Sequence, residues 1–199
     1  MDASDDIRLR DGELAWHGDA FTPAESSALF AELREKLPWH QEQLLIFGRE
    51  RPVPRLVSWH GDPDARYAYS GVLHEPAPWT AALTQIRERV QRLAGGRFNS
   101  VLANLYRDGR DGMGWHSDDE PELGREPLIA SVSFGATRRF RLRHRREKSL
   151  THALDLTDGS VLVMSGATQH HWQHAITKTA RPVGPRINLT YRLIKRATP

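Results

Sequence analysis

Histidine, aspartate and arginine carry most of the chemistry that this 199-residue chain can offer. It has no cysteine, which excludes a thiolate nucleophile, a thiolate metal site and a disulfide framework. His116-Ser117-Asp118 places an imidazole and a carboxylate on the same side of an extended segment. Such a pair supplies two members of a 2-His-1-carboxylate triad, the donor set that holds non-haem Fe(II) with coordination positions left open. The spacing alone is weak. His-x-Asp also occurs in Trp16-His17-Gly18-Asp19 and Trp59-His60-Gly61-Asp62, where Gly-Asp reads as a turn. A third ligand is on offer in Gln169-His170-His171-Trp172-Gln173-His174. Strand alternation puts His170 and His174 together, so the residues themselves leave the choice among these histidines open.

The segment 185–194 adds a second kind of chemistry. Read as a strand, it puts Arg186, Asn188, Thr190 and Arg192 on one face and Ile187, Leu189, Tyr191 and Leu193 on the other. A polar face turned to water would make it an ordinary amphipathic strand. A polar face turned inward would enclose two guanidinium groups, which then need anionic partners. A dicarboxylate would supply them through bidentate forks. Parity does not choose between these. His-x-Asp, a remote histidine and two inward arginines would together hold iron and a dicarboxylate, a combination far more specific than its parts.

These residues need elements to position them. Thr22 as N-cap, Pro23 and Glu25 form a capping box that starts a helix over 23–37, with Phe30, Leu33 and Leu37 on one face. Trp79, Leu83, Ile86, Val90 and Leu93 at helical spacing predict a second helix over 79–93, ended by Gly95 and Gly96. Between them, 42–71 reads as short strands and turns. From Phe98 the period becomes two, with strands expected at 98–106, 128–135, 138–144, 152–156, 160–164, 169–175 and 186–194. Asn104 and Tyr106 share a face at the end of the first of these. A Gly-rich bend over 108–114 then delivers the His-x-Asp pair to a strand mouth. The expectation is an α+β domain, two helices packed on an antiparallel sandwich or barrel, with a jelly roll as the natural candidate. One domain spans 1–199, with helical support over about 1–95 and the strand core over about 96–199.

Composition agrees with a folded chain: 39% hydrophobic, 27% charged and 16 aromatic residues. No apolar stretch approaches the roughly 18 residues of a membrane helix. The acidic start, Met1 to Asp6, is followed by no apolar region, so a signal peptide is not expected. A soluble, cytoplasmic monomer fits best. The net charge of +3 hides a skew, because nearly all of the 28 basic residues are arginine. Arginine is the better fork for phosphate and carboxylate, which points to an anionic partner.

With these residues in place, the chain resembles the AlkB family of Fe(II)- and 2-oxoglutarate-dependent dioxygenases. The resemblance covers roughly 47–194. It rests on Asn104-x-Tyr106, His116-x-Asp118-x-Glu120, the run from Ile129 to Gly135, His174, and Pro185-Arg186-x-Asn188-Leu189-Thr190-x-Arg192. Val53-Pro54-Arg55, Tyr67-x-Tyr69-Ser70-Gly71 and Gly184-Pro185-Arg186 place it nearest the branch that repairs alkylated DNA. It implies a double-stranded β-helix, flanked by N-terminal helices and carrying a nucleotide-recognition lid. It assigns His116, Asp118 and His174 to Fe(II). Arg186, Asn188 and Tyr106 go to the distal carboxylate of 2-oxoglutarate, and Asn104 and Arg192 lie near its keto-acid end. In that family O2, Fe(II) and 2-oxoglutarate hydroxylate an N-methyl group on bases of the 1-methyladenine or 3-methylcytosine type, in DNA and in some members RNA. Formaldehyde, succinate and CO2 are released.

The same resemblance implies how substrate is read. A methylated base inside a duplex must be flipped out or met in a single strand. Tyr67 and Tyr69 supply aromatic faces, Tyr69 at the position that stacks on the flipped base against His116. Glu120 can accept from an exocyclic amine, Phe47 resembles an intercalating finger, and Arg55 is carried over as a substrate contact. Arg139, Arg141, Arg143 and Arg145 line one strand face, Arg141 and Arg143 as candidate phosphate contacts; the plain alternative is an edge strand charged against aggregation. Three competing readings remain: a related dioxygenase acting on a protein or small molecule, an inactive nucleic-acid-binding module, and a zinc protein using His170, His171 and His174.

Overall fold

The computed structural model describes residues 4–46, 49–65, 67–69 and 72–195. In chain order, β1 (Asp5–Leu9) and β2 (Gly12–His17) form a hairpin that leads into α1 (Pro23–Lys36). β3 (Gln43–Ile46) pairs with β4 (Arg49–Pro52), β5 (Leu56–Gly61) follows, and β6 (Tyr67–Tyr69) pairs with β7 (Val72–His74) before α2 (Ala81–Ala94). The second half runs β8 (Ser100–Tyr106), β9 (Met113–His116), β10 (Ile129–Gly135), β11 (Arg138–His144), β12 (Thr151–Leu156), β13 (Ser160–Ser165), α3 (Thr168–His171), β14 (Trp172–Ile176) and β15 (Arg186–Arg192).

Two antiparallel sheets make the jelly roll. The major sheet has the order β1-β2-β13-β10-β15-β8-β5 and the minor sheet β12-β11-β14-β9. The expected helices form where the caps place them. Thr22 and Glu25 close the capping box on α1, Thr80 caps α2, and Gly95 ends α2 in the left-handed conformation at φ 66°. Glu25 also reaches across to Arg89 of α2, joining the two helices.

Burial on both faces of the major sheet explains why the sequence could not orient 185–194. Leu33, Leu83, Ile86 and Val90 of the helices pack on Val132, Phe134, Ile187, Leu189 and Tyr191. Between the sheets, Ile129, Leu162 and Met164 meet Phe140, Leu142 and Ile176. The helices therefore cover the apolar face of β15, and Arg186, Asn188 and Thr190 are buried in the space between sheets.

Two expectations change. The stretch 1–95 is more than helical support: β2 pairs with β13 and β5 with β8, so the N-terminal region extends the major sheet at both ends. β2 went unread because His17-Gly18-Asp19 looks like a turn and the strand before it is short. Residues 169–175 are also not one strand. The single turn α3 comes first, and β14 begins at Trp172.

Candidate active site

β9 and the loop after it carry His116 and Asp118, and β14 carries His174 beside them. In the sheet register His174 lies opposite His116. One ligand atom from each of the three residues can be chosen so that all lie within 4.8 Å of one another. His116 Nε2 is 3.9 Å from Asp118 Oδ1, and His174 Nε2 is 4.0 Å from Asp118 Oδ2. His116 Nδ1 donates to the Gly114 carbonyl at 2.8 Å, which leaves the Nε2 lone pair for a cation. Burial holds His174 neutral by pushing its pKa down to about 3. Burial also opposes ionisation of Asp118, yet the Arg192 guanidinium beside it outweighs burial and keeps that carboxyl below its usual range. Two imidazoles and one carboxylate fit a divalent metal with positions to spare.

The break in strand parity decides between the histidines. α3 rotates His170 out to an exposed position against the Arg125 carbonyl and turns His171 onto His144, with ring centroids 5.8 Å apart. The zinc trio His170, His171 and His174 is therefore not brought together among the described residues. Another cluster, Asp11, His144 and His171, has suitable spacing. There, however, His144 Nδ1 accepts the Glu147 amide hydrogen at 3.0 Å, which places the ring proton on Nε2, the atom 3.5 Å from Asp11 Oδ2. That cluster brings the β1–β2 turn against the end of β11, and His144 Nε2 has no hydrogen-bond partner there among the described residues.

A cavity lined from both sheets opens at the triad, with Asn104, Tyr106, Arg186, Asn188 and Arg192 in its wall. Arg186 is 1% exposed and donates through Nη2 to Ser133 Oγ at 2.9 Å. Its Nε and Nη1 have no hydrogen-bond partner among the described residues, and neither does Arg192 Nε. Burial and the nearby Arg138 lower the Arg186 pKa to about 10, so it stays cationic at neutral pH. A buried cation with donor groups left unsatisfied calls for an anion, and a carboxylate suits it. Tyr106, the cross-strand partner of Arg186, lies below it with the ring centroid 5.2 Å from Cζ. Arg192 Nη2 donates to Asp118 Oδ1 at 2.7 Å, linking the arginine strand to the triad.

The other expected residues fall as follows. Asn188 directs its amide hydrogens to Ser131 Oγ and the Val132 carbonyl, and Thr190 donates to its Oδ1, so it props the cavity wall. Arg55 is buried and donates to Asn104 Oδ1 at 2.7 Å, which places it behind Asn104 on the cavity floor rather than on an outer surface. Glu120 is half-buried, its Oε2 lacks a partner, and burial raises its pKa. Arg141 is exposed, and Arg143 is half-buried against Trp115. β11 is paired on both sides, so charged protection of an edge is not the reason for its arginines. The backbone of Tyr67 and Tyr69 lies in β6. Phe47 lies outside the described residues.

Sequence reasoning missed four supports. Gln169 is fully buried and accepts the Asp118 amide at 3.0 Å. Arg138, which opens the arginine-rich stretch of β11, is buried and donates to the carbonyls of Asp108, Asp111 and Thr177. It thereby ties the bend before His116 to the chain leaving β14. Gly109 and Gly112 permit the close approach: a Cβ on them would lie 2.5 Å from the Thr179 carbonyl oxygen and 2.7 Å from that of Ile176. Ser131 and Ser133 hold Asn188 and Arg186, and their alternation in the run from Ile129 to Gly135 was the available signal.

Residues 13–192 match the family described as the 2OG-Fe(II) oxygenase superfamily. Alpha-ketoglutarate-dependent dioxygenase alkB homolog 3 of Bos taurus is 40% identical over 179 residues, which is 85% of this chain and 62% of that protein. DNA oxidative demethylase ALKBH2 of Homo sapiens is 40% identical over 184 residues, 87% of this chain and 70% of that protein. The chain thus spans less than two thirds of the length of the homolog 3 relatives. The solved structure of OsALKBH1 superposes with a TM-score of 0.62 at 14% identity, over 95% of this chain and 100% of that one, a likeness of fold.

Proposed function

Because the chain belongs to the AlkB family of the 2OG-Fe(II) oxygenase superfamily, we propose that it oxidatively demethylates N-alkylated bases in DNA, and in RNA as a second substrate. Bases of the 1-methyladenine and 3-methylcytosine type are its substrates, and it acts as a soluble, cytoplasmic monomer. Fe(II) with O2 and 2-oxoglutarate supplies the oxidising chemistry: the N-methyl carbon leaves as formaldehyde, while 2-oxoglutarate becomes succinate and CO2.

The observation that carries this reading is the pairing, in one cavity, of the His116–Asp118–His174 triad with the unpartnered donors of Arg186. His116, Asp118 and His174 hold the metal. Arg186 binds the distal carboxylate, with Tyr106 and Asn188 shaping its seat. Asn104, steadied by Arg55, and Arg192 bound the keto-acid end. The family resemblance assigns Tyr67, Tyr69 and Phe47 to the flipped base and the gap it leaves. The half-buried carboxyl of Glu120, whose Oε2 has no hydrogen-bond partner among the described residues, meets the exocyclic amine of that base. Arg141 and Arg143 steady the phosphates, so binding weakens with salt.

The test is incubation with Fe(II), 2-oxoglutarate and ascorbate in air, together with an oligonucleotide carrying one 1-methyladenine, read by intact mass. Loss of one methyl group, dependent on 2-oxoglutarate and abolished by Asp118→Ala, is the expected result. Succinate formed without methyl loss would move the substrate elsewhere. Neither product from folded, iron-loaded protein would leave a binding module.

A further inference from the structure

Trp115 and Leu193 are the large apolar side chains left exposed among the described residues, at 36% and 40%. Leu193 merely follows the end of β15. Trp115 sits in β9 immediately before His116. Neighbours in a strand point to opposite faces, so the imidazole turns to the cavity and the indole stands on the outer face of the minor sheet. Trp39, Trp59, Trp79 and Trp172 each give their indole N–H to a protein acceptor, as embedded tryptophans do. Trp115 is held differently. The Arg143 guanidinium covers one face of its ring, with Cζ 4.3 Å from the centroid. Arg143 Nε in turn donates to Gln173 Oε1 at 3.0 Å. Ring and cation brace each other, and the opposite indole face is left to solvent.

The surroundings suit a polyanion. Arg141 is exposed, its cross-strand neighbours are Ala153 and Ala175, and it has no ion pair among the described residues. The acid on this face, Asp155, is engaged by Arg139. A flat aromatic face beside unneutralised arginines is the pattern of a single-strand platform, because any unpaired base can stack on it while its phosphates meet the cations.

Resting on the demethylase reading above, we propose that Trp115, braced by Arg143, stacks an unpaired base next to the one taken into the cavity, and that this face favours single strands over duplex. In a duplex the neighbouring base stays paired to the opposite strand and stacked on its other neighbour, so it reaches the indole only by further unpairing and unstacking. The platform reads no base edge, so deoxyribo and ribo strands both fit it.

The test uses protein loaded with Fe(II) and 2-oxoglutarate under exclusion of oxygen, so that nothing turns over. Fluorescence anisotropy measures affinity for labelled 1-methyladenine oligonucleotides as DNA single strand, RNA single strand and DNA duplex, at several salt concentrations. Stacking on an aromatic side chain is removed by Trp115→Ala, so single-strand affinity should fall roughly tenfold, within a range of about 5- to 150-fold. Duplex affinity should change far less. Trp115→Phe keeps a ring and should restore most of the loss, and Arg143→Gln should lower the salt slope by about one. Unchanged single-strand affinity in Trp115→Ala overturns the platform while leaving the demethylase reading standing. An equal loss on single strand and duplex overturns the preference. If the unaltered protein binds no alkylated strand at all, the demethylase reading fails and the platform fails with it.

Discussion

Replacing Arg186 with methionine should make the ligand-free protein more stable and its co-substrate binding far weaker. Burial lowers the Arg186 pKa to about 10. Holding the charge in the folded state therefore costs about 3 kcal/mol. The folded form binds this proton less tightly than the unfolded chain does. The penalty is fully present below about pH 10 and disappears only in more alkaline solution, where the unfolded chain also loses the proton. Methionine removes the penalty and forfeits the hydrogen bond to Ser133, worth about 1 kcal/mol. A net gain of about 2 kcal/mol raises the melting temperature by about 4–8 °C for a chain of this size. A carboxylate on the free Nη1 of the unaltered protein forms a charge-assisted bond of about 1.5–3 kcal/mol. Its loss weakens 2-oxoglutarate binding by about 10- to 150-fold. Melting curves with and without 2-oxoglutarate, in the presence of Mn²⁺, read stability, and titration calorimetry reads affinity. A variant that melts below the parent and still binds 2-oxoglutarate at parental affinity would refute the reasoning.

Three further outcomes are expected. Gln169→Leu removes the acceptor that fixes the Asp118 amide; divalent-metal affinity, measured by calorimetry with Mn²⁺, should fall about 10- to 100-fold while the melting temperature moves little. His174 stays neutral in the folded protein down to about pH 3 but titrates near 6.5 when unfolded. The unfolded state therefore binds more protons, and metal-free stability should decline as pH falls from about 6.5 toward 3, by up to about 1.4 kcal/mol per pH unit. Urea midpoints between pH 7 and pH 4 measure this, and a flat profile would contradict a buried neutral imidazole. Gly112→Ala sets a methyl 2.7 Å from the Ile176 carbonyl oxygen; the bend must shift, at a cost of about 1–3 kcal/mol read from the urea midpoint, and metal affinity should fall with it.

The parts of the fold most legible in the sequence were those with local signals. The capping box at Thr22 and Glu25 and the Gly95 stop placed both long helices within a residue or two. Period-two runs located β8, β10, β11, β12, β13 and β15. The direction of the β15 polar face was not legible, because it depends on helices packing far away in sequence. Resemblance, not spacing, selected His174; what excludes His170 is a four-residue turn with no strong cap or apolar period of its own. The role of Arg138 was not legible for a related reason. An arginine whose partners are all backbone carbonyls leaves no complementary residue type to find. Gln169 was invisible in the same way, since an amide accepting a backbone N–H carries no pattern.

β15 spends every position twice over, and that has a consequence for how this chain can change. Its odd-numbered residues Ile187, Leu189 and Tyr191 are fully buried against the helices, with the Tyr191 hydroxyl on the Leu83 carbonyl. Its even-numbered residues carry the guanidinium and amide groups of the cavity. Neighbours on both sides fix the same register, Gly135 and Tyr106 flanking Arg186. Substitution can alter one face at a time, but inserting or deleting a single residue exchanges the two faces at once. Cations would then enter the helix core and aliphatic groups the ligand space, so core and chemistry would be lost in one step. Length variation along this lineage is thus confined to the connections around β15, and the strand itself can change only by replacement, residue by residue.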